Sequence, residues 1–150
     1  MSIPVGLVIV DHGSRRAESN AMHEELVATF AALDHAAAYV AVAPAHMELA
    51  TPTVADAIAT VVGAGARRVL VMPYFLFAGN HWERDIPALV DDARRAHPGV
   101  EFLVTAPVGL HPLMLDVVRG RLEQCTRHAA GEVAACDLCA GTDRCRWIGG

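Results

Sequence analysis

No apolar run in this chain is long enough to cross a membrane. The longest runs are broken by proline, glycine or charge, well short of the roughly 18 residues that a helical span needs. The opening stretch MSIPVGLVIV has no basic n-region and no small-residue cleavage site, so a signal peptide is not expected and the compartment is read as cytoplasmic. Basic charge is also short. Lys and Arg number 12 against 17 Asp and Glu, for a net charge of −5, whereas a nucleic-acid binder carries a basic excess. Neither nucleic acid nor membrane is therefore an expected partner. There is no internal repeat and no low-complexity run. Cysteine is absent until late in the chain, where Cys125, Cys136, Cys139 and Cys145 follow in close order. In a reducing compartment, thiols clustered like this are more often metal ligands than disulfides.

What is present is ample apolar material in a regular rhythm. Over 150 residues, 53% are hydrophobic, enough for one domain with a real core. Buried strands are expected at 5–10 (VGLVIV), 37–43 (AAYVAVA), 67–72 (RRVLVM) and 100–105 (VEFLVT). Between them the spacing is helical. The first helix, 17–33, has Met22, Leu26, Phe30 and Leu33 on one face. The second is opened by Thr51 as N-cap with Pro52 at its first position, and runs through Val54, Ile58 and Val61 to Gly63. The third carries Trp82, Ile86, Leu89, Val90 and Ala93. The last starts at His111-Pro112, with Leu115, Val118 and Leu122 turned inward. Strands without polar alternation, separated by helices, give an α/β fold: a single domain with a four-stranded parallel sheet flanked by helices. From residue 129 the periodicity ends, so the boundaries are 1–128 for the α/β domain and 129–150 for an irregular, Cys-rich tail.

In open parallel sheets, ligands bind beyond the carboxyl ends of the strands. The first strand runs into Asp11-His12-Gly13-Ser14. Asp11 and Ser14 either cap the following helix or serve a site; capping has no need of the imidazole of His12. The second strand ends near His46 and Glu48. After the third comes PYFLFAGNHWERDIP, where Tyr74, Phe75, Leu76 and Phe77 are large apolar residues in a connection, a place where polar residues are expected. They are either core or an apolar floor for a flat ligand. Ala78-Gly79-Asn80 then turns the chain, and His81 opens the next helix. Three strand tips thus deliver His12, Glu48 and His81 to one edge, a donor set suited to a borderline divalent metal such as Fe, Co, Ni or Zn.

The motifs HGSRRAESN, MELATP and PYFLFAGNHWERDIP resemble the CbiX/SirB sirohydrochlorin chelatases, over roughly residues 4 to 120. That resemblance implies a lyase that inserts a divalent metal into sirohydrochlorin, a tetrapyrrole with eight carboxylates. The product leads to sirohaem with iron and to cobalamin with cobalt; related members use nickel. It implies the short, single-domain form, which pairs as a homodimer. By position, His12 and His81 match the family's metal-binding histidines, with His12 also the proton acceptor, and Glu48 matches the acidic residue. Leu76, Phe77, Ala78, Gly79, Asn80 and His81 match the loop against the macrocycle. Ser14 and Arg15 stand beside them; Arg15 and Arg16 are either carboxylate partners or solvated surface. The chemistry agrees, since two pyrrole N–H protons must leave as the metal enters, and an imidazole, ordinarily titrating near about 6.5, can hold a metal or take a proton at cellular pH.

In the tail, Cys136-x2-Cys139-x5-Cys145 is a soft-metal spacing. Cys125 is either the fourth ligand or a buried thiol on the last helix, in register with Leu115, Val118 and Leu122. Four thiolates suit zinc or an iron–sulfur cluster. The resemblance favours a cluster, [2Fe–2S] before [4Fe–4S], because some chelatases carry one at the C-terminus. Two rivals to the chelatase remain open on sequence: a metal or tetrapyrrole carrier without turnover, and an iron–sulfur redox protein on an α/β scaffold.

Overall fold

The computed structural model describes residues 2–149. Its chain forms two compact units, one through Gly109 and one from Leu110 onward. The first holds β1 (Val5–Asp11), α1 (Ala17–Ala31), β2 (Ala41–His46), α2 (Val54–Gly63), β3 (Arg68–Pro73), α3 (Ile86–Ala96) and β4 (Glu101–Val104). A 3₁₀ turn, Asp34–Ala38, precedes β2, and one π-helical turn, His81–Asp85, precedes α3. The expected parallel four-stranded sheet flanked by helices is present, in the order β2-β1-β3-β4.

Alternation along the central strand β1 feeds both faces. Val8 and Val10 join Ala43, Ala45, Val69 and Val71 under α2 and α3, whose Val54, Ala57, Ile58, Val61, Ile86, Val90 and Ala93 complete that core. Leu7 and Ile9 face the other way, against Val27, Leu26 and Phe30 of α1. Burial of this kind is worth about 1.5–3 kcal/mol per large aliphatic side chain. The order also reverses at β1, since β2 lies on one side and β3 on the other. That reversal opens a crevice between the carboxyl ends of β1 and β3, the place where such sheets take ligands.

Several expected boundaries move. The second strand starts at Ala41, not 37, because Asp34–Ala38 closes a 3₁₀ turn; an alanine-rich stretch fits either state. The cap of α2 is Thr53, not Thr51. Thr53 Oγ accepts from the Asp56 N–H, and the Asp56 carboxylate accepts from the Thr53 N–H, closing a capping box. The inward face of α1 is set by His23 and Val27, while Met22 and Leu33 are exposed; counting histidine as polar hid this face.

The second unit contains α4 (Pro112–Ala129), which ends where the composition changes, and the segment after it. Its spacing is helical as expected, but Leu115, Val118 and Leu122 are exposed, and α4 buries no side chain. Periodicity identifies an apolar face without saying what covers it. Among the described residues of this unit only Cys136 is buried. No described helix is long and apolar enough to cross a membrane.

Candidate functional site

The site is built on the turn out of β1. Gly13 has φ +87°, and a Cβ there would stand 1.9 Å from the Glu48 carbonyl oxygen. Only glycine lets the two strand ends approach so closely. The approach is stitched by the Met47 N–H to the Asp11 carbonyl at 2.8 Å and the Glu48 N–H to the His12 carbonyl at 3.1 Å. As a result His12 Nε2 lies 2.9 Å from Glu48 Oε1, and His12 Nδ1 lies 3.1 Å from the Gly13 carbonyl.

His81 arrives from the β3 side. Its imidazole meets that of His12 edge-on, with centroids 4.9 Å apart and planes at 63°. Its Nδ1 donates to Asp85 Oδ2 at 2.7 Å. The turn that carries it is fastened by the Trp82 indole N–H, which donates to the Thr105 carbonyl at 2.9 Å, and by Ile86, which is fully buried. His12 therefore lies against both Glu48 and His81. Among the described residues no group of three or more His, Cys, Asp or Glu side chains is placed to hold a metal ion.

The floor beside these donors is an open cavity of about 580 Å³, lined by Asp11–Ser14 on one side and by Tyr74–Phe77, Gly79, His81 and Trp82 on the other. Phe75 packs on the core. Leu76 and Phe77 are 57% and 67% exposed, which answers the core reading for this pair: they offer apolar surface to whatever occupies the cavity. Ala78, Gly79 and Asn80 are exposed as well, and so is Arg15. Ser14 holds the turn: its N–H donates to Asn20 Oδ1 at 2.9 Å, and its carbonyl accepts from Asn20 Nδ2 at 2.8 Å.

Sequence reasoning missed what lies beneath. Asp11 does not cap α1, whose N-terminus has no side-chain cap. Its carboxylate goes to His46, with Oδ1 2.6 Å from Nδ1, and faces His23 Nδ1 at 3.8 Å. His46, the last residue of β2 rather than a loop residue, is fully buried, and its Nε2 lies 3.2 Å from Glu24 Oε1. His23 donates from Nε2 to the Ile9 carbonyl at 3.0 Å. The available signal was register: Asp11 pairs with His46 across β1 and β2.

A second group of donors sits in the unit after Leu110. All four cysteines are free. Cys145 Sγ donates to the Cys125 carbonyl at 3.6 Å, and Cys136 to Cys139 form one turn, with the Cys139 and Ala140 N–H groups on the Cys136 carbonyl. Backbone N–H groups of Leu138 and Cys139, with the Arg121 charge as a lesser cause, pull the Cys136 thiol down. Burial, followed by the bond with Cys125, pushes Cys145 up to about 11. Arg121 itself is held by Asp137, Nη1 to Oδ1 at 2.7 Å.

With this geometry in place, comparison with known proteins is informative. The CbiX family model matches residues 6–125. The chain is 50% identical over 141 residues to the sirohydrochlorin ferrochelatase, chloroplastic, of Arabidopsis thaliana, covering 94% of this chain and 61% of that one. It is 33% identical over 119 residues to the sirohydrochlorin cobaltochelatase of Priestia megaterium, covering 79% and 37%. It thus spans less than two thirds of the length of either relative. Among solved structures, the cobalamin (vitamin B12) biosynthesis CbiX protein from Marinobacter aquaeolei VT8 aligns with TM-score 0.64 and 30% identity, covering 80% of this chain and 98% of that one. The sirohydrochlorin chelatase SirB from Bacillus subtilis subspecies spizizenii, in complex with cobalt, shares the fold at TM-score 0.69 and 22% identity, covering 81% and 50%. A match over most of the sheet and all three strand tips leaves one assignment: the chain belongs to the CbiX family.

Proposed function

We propose that this chain is a lyase that inserts a divalent metal, iron or cobalt, into sirohydrochlorin, for sirohaem or cobalamin biosynthesis. The observation that carries the reading is the convergence of His12, Glu48 and His81 at the rim of an apolar-floored cavity. The names of the relatives, ferrochelatase and cobaltochelatase, agree with it. Insertion exchanges two pyrrole N–H protons for one M²⁺. The imidazoles of His12 and His81 supply nitrogen donors to the incoming metal substrate, and Glu48 supplies an oxygen. His12 cannot hold the metal and take a proton through Nε2 at once. Its roles are therefore sequential, with Glu48, 2.9 Å away, passing the proton outward. Leu76, Phe77, Ala78, Gly79 and Asn80 lie along the ring face, and Ser14 and Arg15 meet its carboxylates. Because the net charge is negative, attraction of an anionic tetrapyrrole is local.

The cavity offers one open wall to a large ring. We infer that two copies cover it from both sides as a homodimer; a particle of about 16 kDa (light scattering) with full activity would contradict this. For residues 129–150 together with Cys125, we infer a separate metal-binding segment. Four free thiols within one segment supply the donor types of a four-thiolate group, so Cys125, Cys136, Cys139 and Cys145 would hold an iron–sulfur cluster, [2Fe–2S] before [4Fe–4S]. When bound, such a group supplies one-electron chemistry and fixes a segment that has little core of its own. Its residues lie outside His12, Glu48 and His81, so insertion does not pass through it. Clustered thiols call for a reducing compartment, which the cytoplasm and the chloroplast of the Arabidopsis relative both satisfy.

The test is an anaerobic insertion assay with sirohydrochlorin and Fe²⁺, Co²⁺ or Ni²⁺ in turn, followed by absorbance. Turnover above the uncatalysed rate supports the lyase. Stoichiometric tetrapyrrole binding without turnover would identify a carrier instead.

A further inference from the structure

We propose that Asp85 is a positioning residue that sets the tautomer and aim of His81, so that His81 Nε2 is the first nitrogen offered to the incoming metal. The inference rests on the chelatase reading above and adds a residue to it.

Three observations carry it. First, Asp85 directly precedes α3, a position where an aspartate normally caps the helix; here no side-chain cap bond is made. Its carboxylate goes instead to His81, accepting from Nδ1 at 2.7 Å. Because a carboxylate oxygen only accepts, the proton of a neutral His81 is fixed on Nδ1 and the lone pair is left on Nε2. Second, the span from His81 to Asp85 is a single π-helical turn, closed by the Ile86 N–H on the His81 carbonyl. Such wide turns are uncommon and concentrate at functional sites. This one is fastened at Trp82 to the Thr105 carbonyl and at fully buried Ile86, so Asp85 stands on a fixed base. Third, the two site histidines are held differently. Both nitrogens of His12 already face oxygen, Glu48 Oε1 at 2.9 Å and the Gly13 carbonyl at 3.1 Å. Among the described residues His81 is bound only through Nδ1. The open nitrogen of the pair is therefore the one that Asp85 exposes, and the ion meets His81 before it separates His12 from Glu48.

Both partners are about half exposed, so the substitutions should leave the fold intact, which thermal melts would verify. Asp85→Ala should lower kcat/KM for Co²⁺ about 10–100-fold, the usual cost of losing a partner behind a metal-ligating histidine. The loss should fall mainly on KM for the metal, with KM for sirohydrochlorin unchanged. Asp85→Asn keeps an accepting oxygen and should stay within about fivefold of wild type. In the His81→Ala background, Asp85→Ala should cost nothing further, since its effect passes through His81. A second readout does not depend on turnover. Long-range ¹H–¹⁵N spectra of the metal-free protein should place the His81 proton on Nδ1 in wild type and on Nε2, or on both, in Asp85→Ala. An unchanged tautomer, or full additivity of the two substitutions, overturns the proposal. Wild type without insertion activity but with the tautomer shift would defeat the chelatase reading and leave Asp85 as the residue that sets His81.

Discussion

The two units of this chain bring donor atoms together in opposite ways. Before Gly109, apolar burial comes first: a parallel sheet with fully buried Val8, Val10, Val54, Ile58, Val61, Val69, Val71 and Ile86 fixes strand ends. Those ends place His12 against both Glu48 and His81. After Leu110, α4 buries nothing and Cys136 is the only described residue that is buried. There four free thiols lie within a short segment that has little core of its own. A site resting on a core should outlast loss of its metal; a segment resting on its ligands should not. The parallel sheet and the glycine turn both serve the first case.

The largest expected effect comes from breaking the first site while sparing its core. His12→Ala should lower insertion by roughly 10²–10⁴-fold, the range for losing a positioned proton acceptor. The thermal midpoint should barely move, because His12 is only half-buried at a strand tip. Activity near wild type would remove His12 from the site, and a collapsed midpoint would show that the strand end depends on its side chain.

The second effect removes the other region altogether. Truncation before Ala129, or Ser in place of Cys136, Cys139 or Cys145, should abolish the brown colour of anaerobically purified protein while retaining insertion within a few-fold of the intact chain. Colourless wild-type protein with one zinc per chain would defeat the cluster and leave the chelatase reading untouched. A folded truncation without any insertion would show that the two regions are not independent.

How much of this was readable beforehand follows from the same contrast. The β-α alternation and the three strand-tip motifs are local patterns, so the parallel sheet and the candidates His12, Glu48 and His81 could be named from sequence. Three features could not. His46 is buried at the end of β2 and bonded to Asp11, but buried histidine has no periodic signature, and the pairing depends on register across the sheet. Nothing in the sequence marks Asp85, and only the bond to His81 shows where its carboxylate goes. Leu115, Val118 and Leu122 form a correct helical row whose exposure no spacing rule could supply. Local patterns specify elements; partners more than a few residues away specify roles.

A third, smaller effect separates the thiols themselves. In metal-free, reduced protein, Cys136 is pulled down by the backbone N–H groups of Leu138 and Cys139, while Cys145 is pushed up to about 11 by burial. Only the thiolate alkylates, and because Cys136 is itself buried the contrast lies in the pH profile rather than in absolute rate: the iodoacetamide rate of Cys136 should level off at lower pH than that of Cys145. Metal or cluster loading should protect both. Coincident pH profiles in the metal-free protein would mean that the Leu138 and Cys139 N–H groups do not act on Cys136.

The smallest effect tests whether the capping box behind the first site matters to it. Thr53 caps α2 immediately after the loop that carries Glu48, and it forms a bridge with His46. Thr53→Ala removes the hydroxyl that accepts from the Asp56 N–H and should cost about 1 kcal/mol of stability, read as a lower urea midpoint with unchanged slope. The carboxylate half of the box has a pH signature. The Thr53 backbone N–H, then its side chain, holds the Asp56 carboxyl below its ordinary value. A depressed folded-state value gives stability that is present above the unfolded value of about 3.9 and is lost as pH falls through the folded value. Wild type should therefore exceed Asp56→Asn by a constant margin near pH 7, with the margin closing in more acidic solution below about pH 4. A margin that does not change with pH would mean that the carboxylate is not ionised in the box. If Thr53→Ala also raised KM for the metal by more than about twofold, the cap would belong to the positioning of Glu48, and the first region would rest on its helix ends as well as on its core.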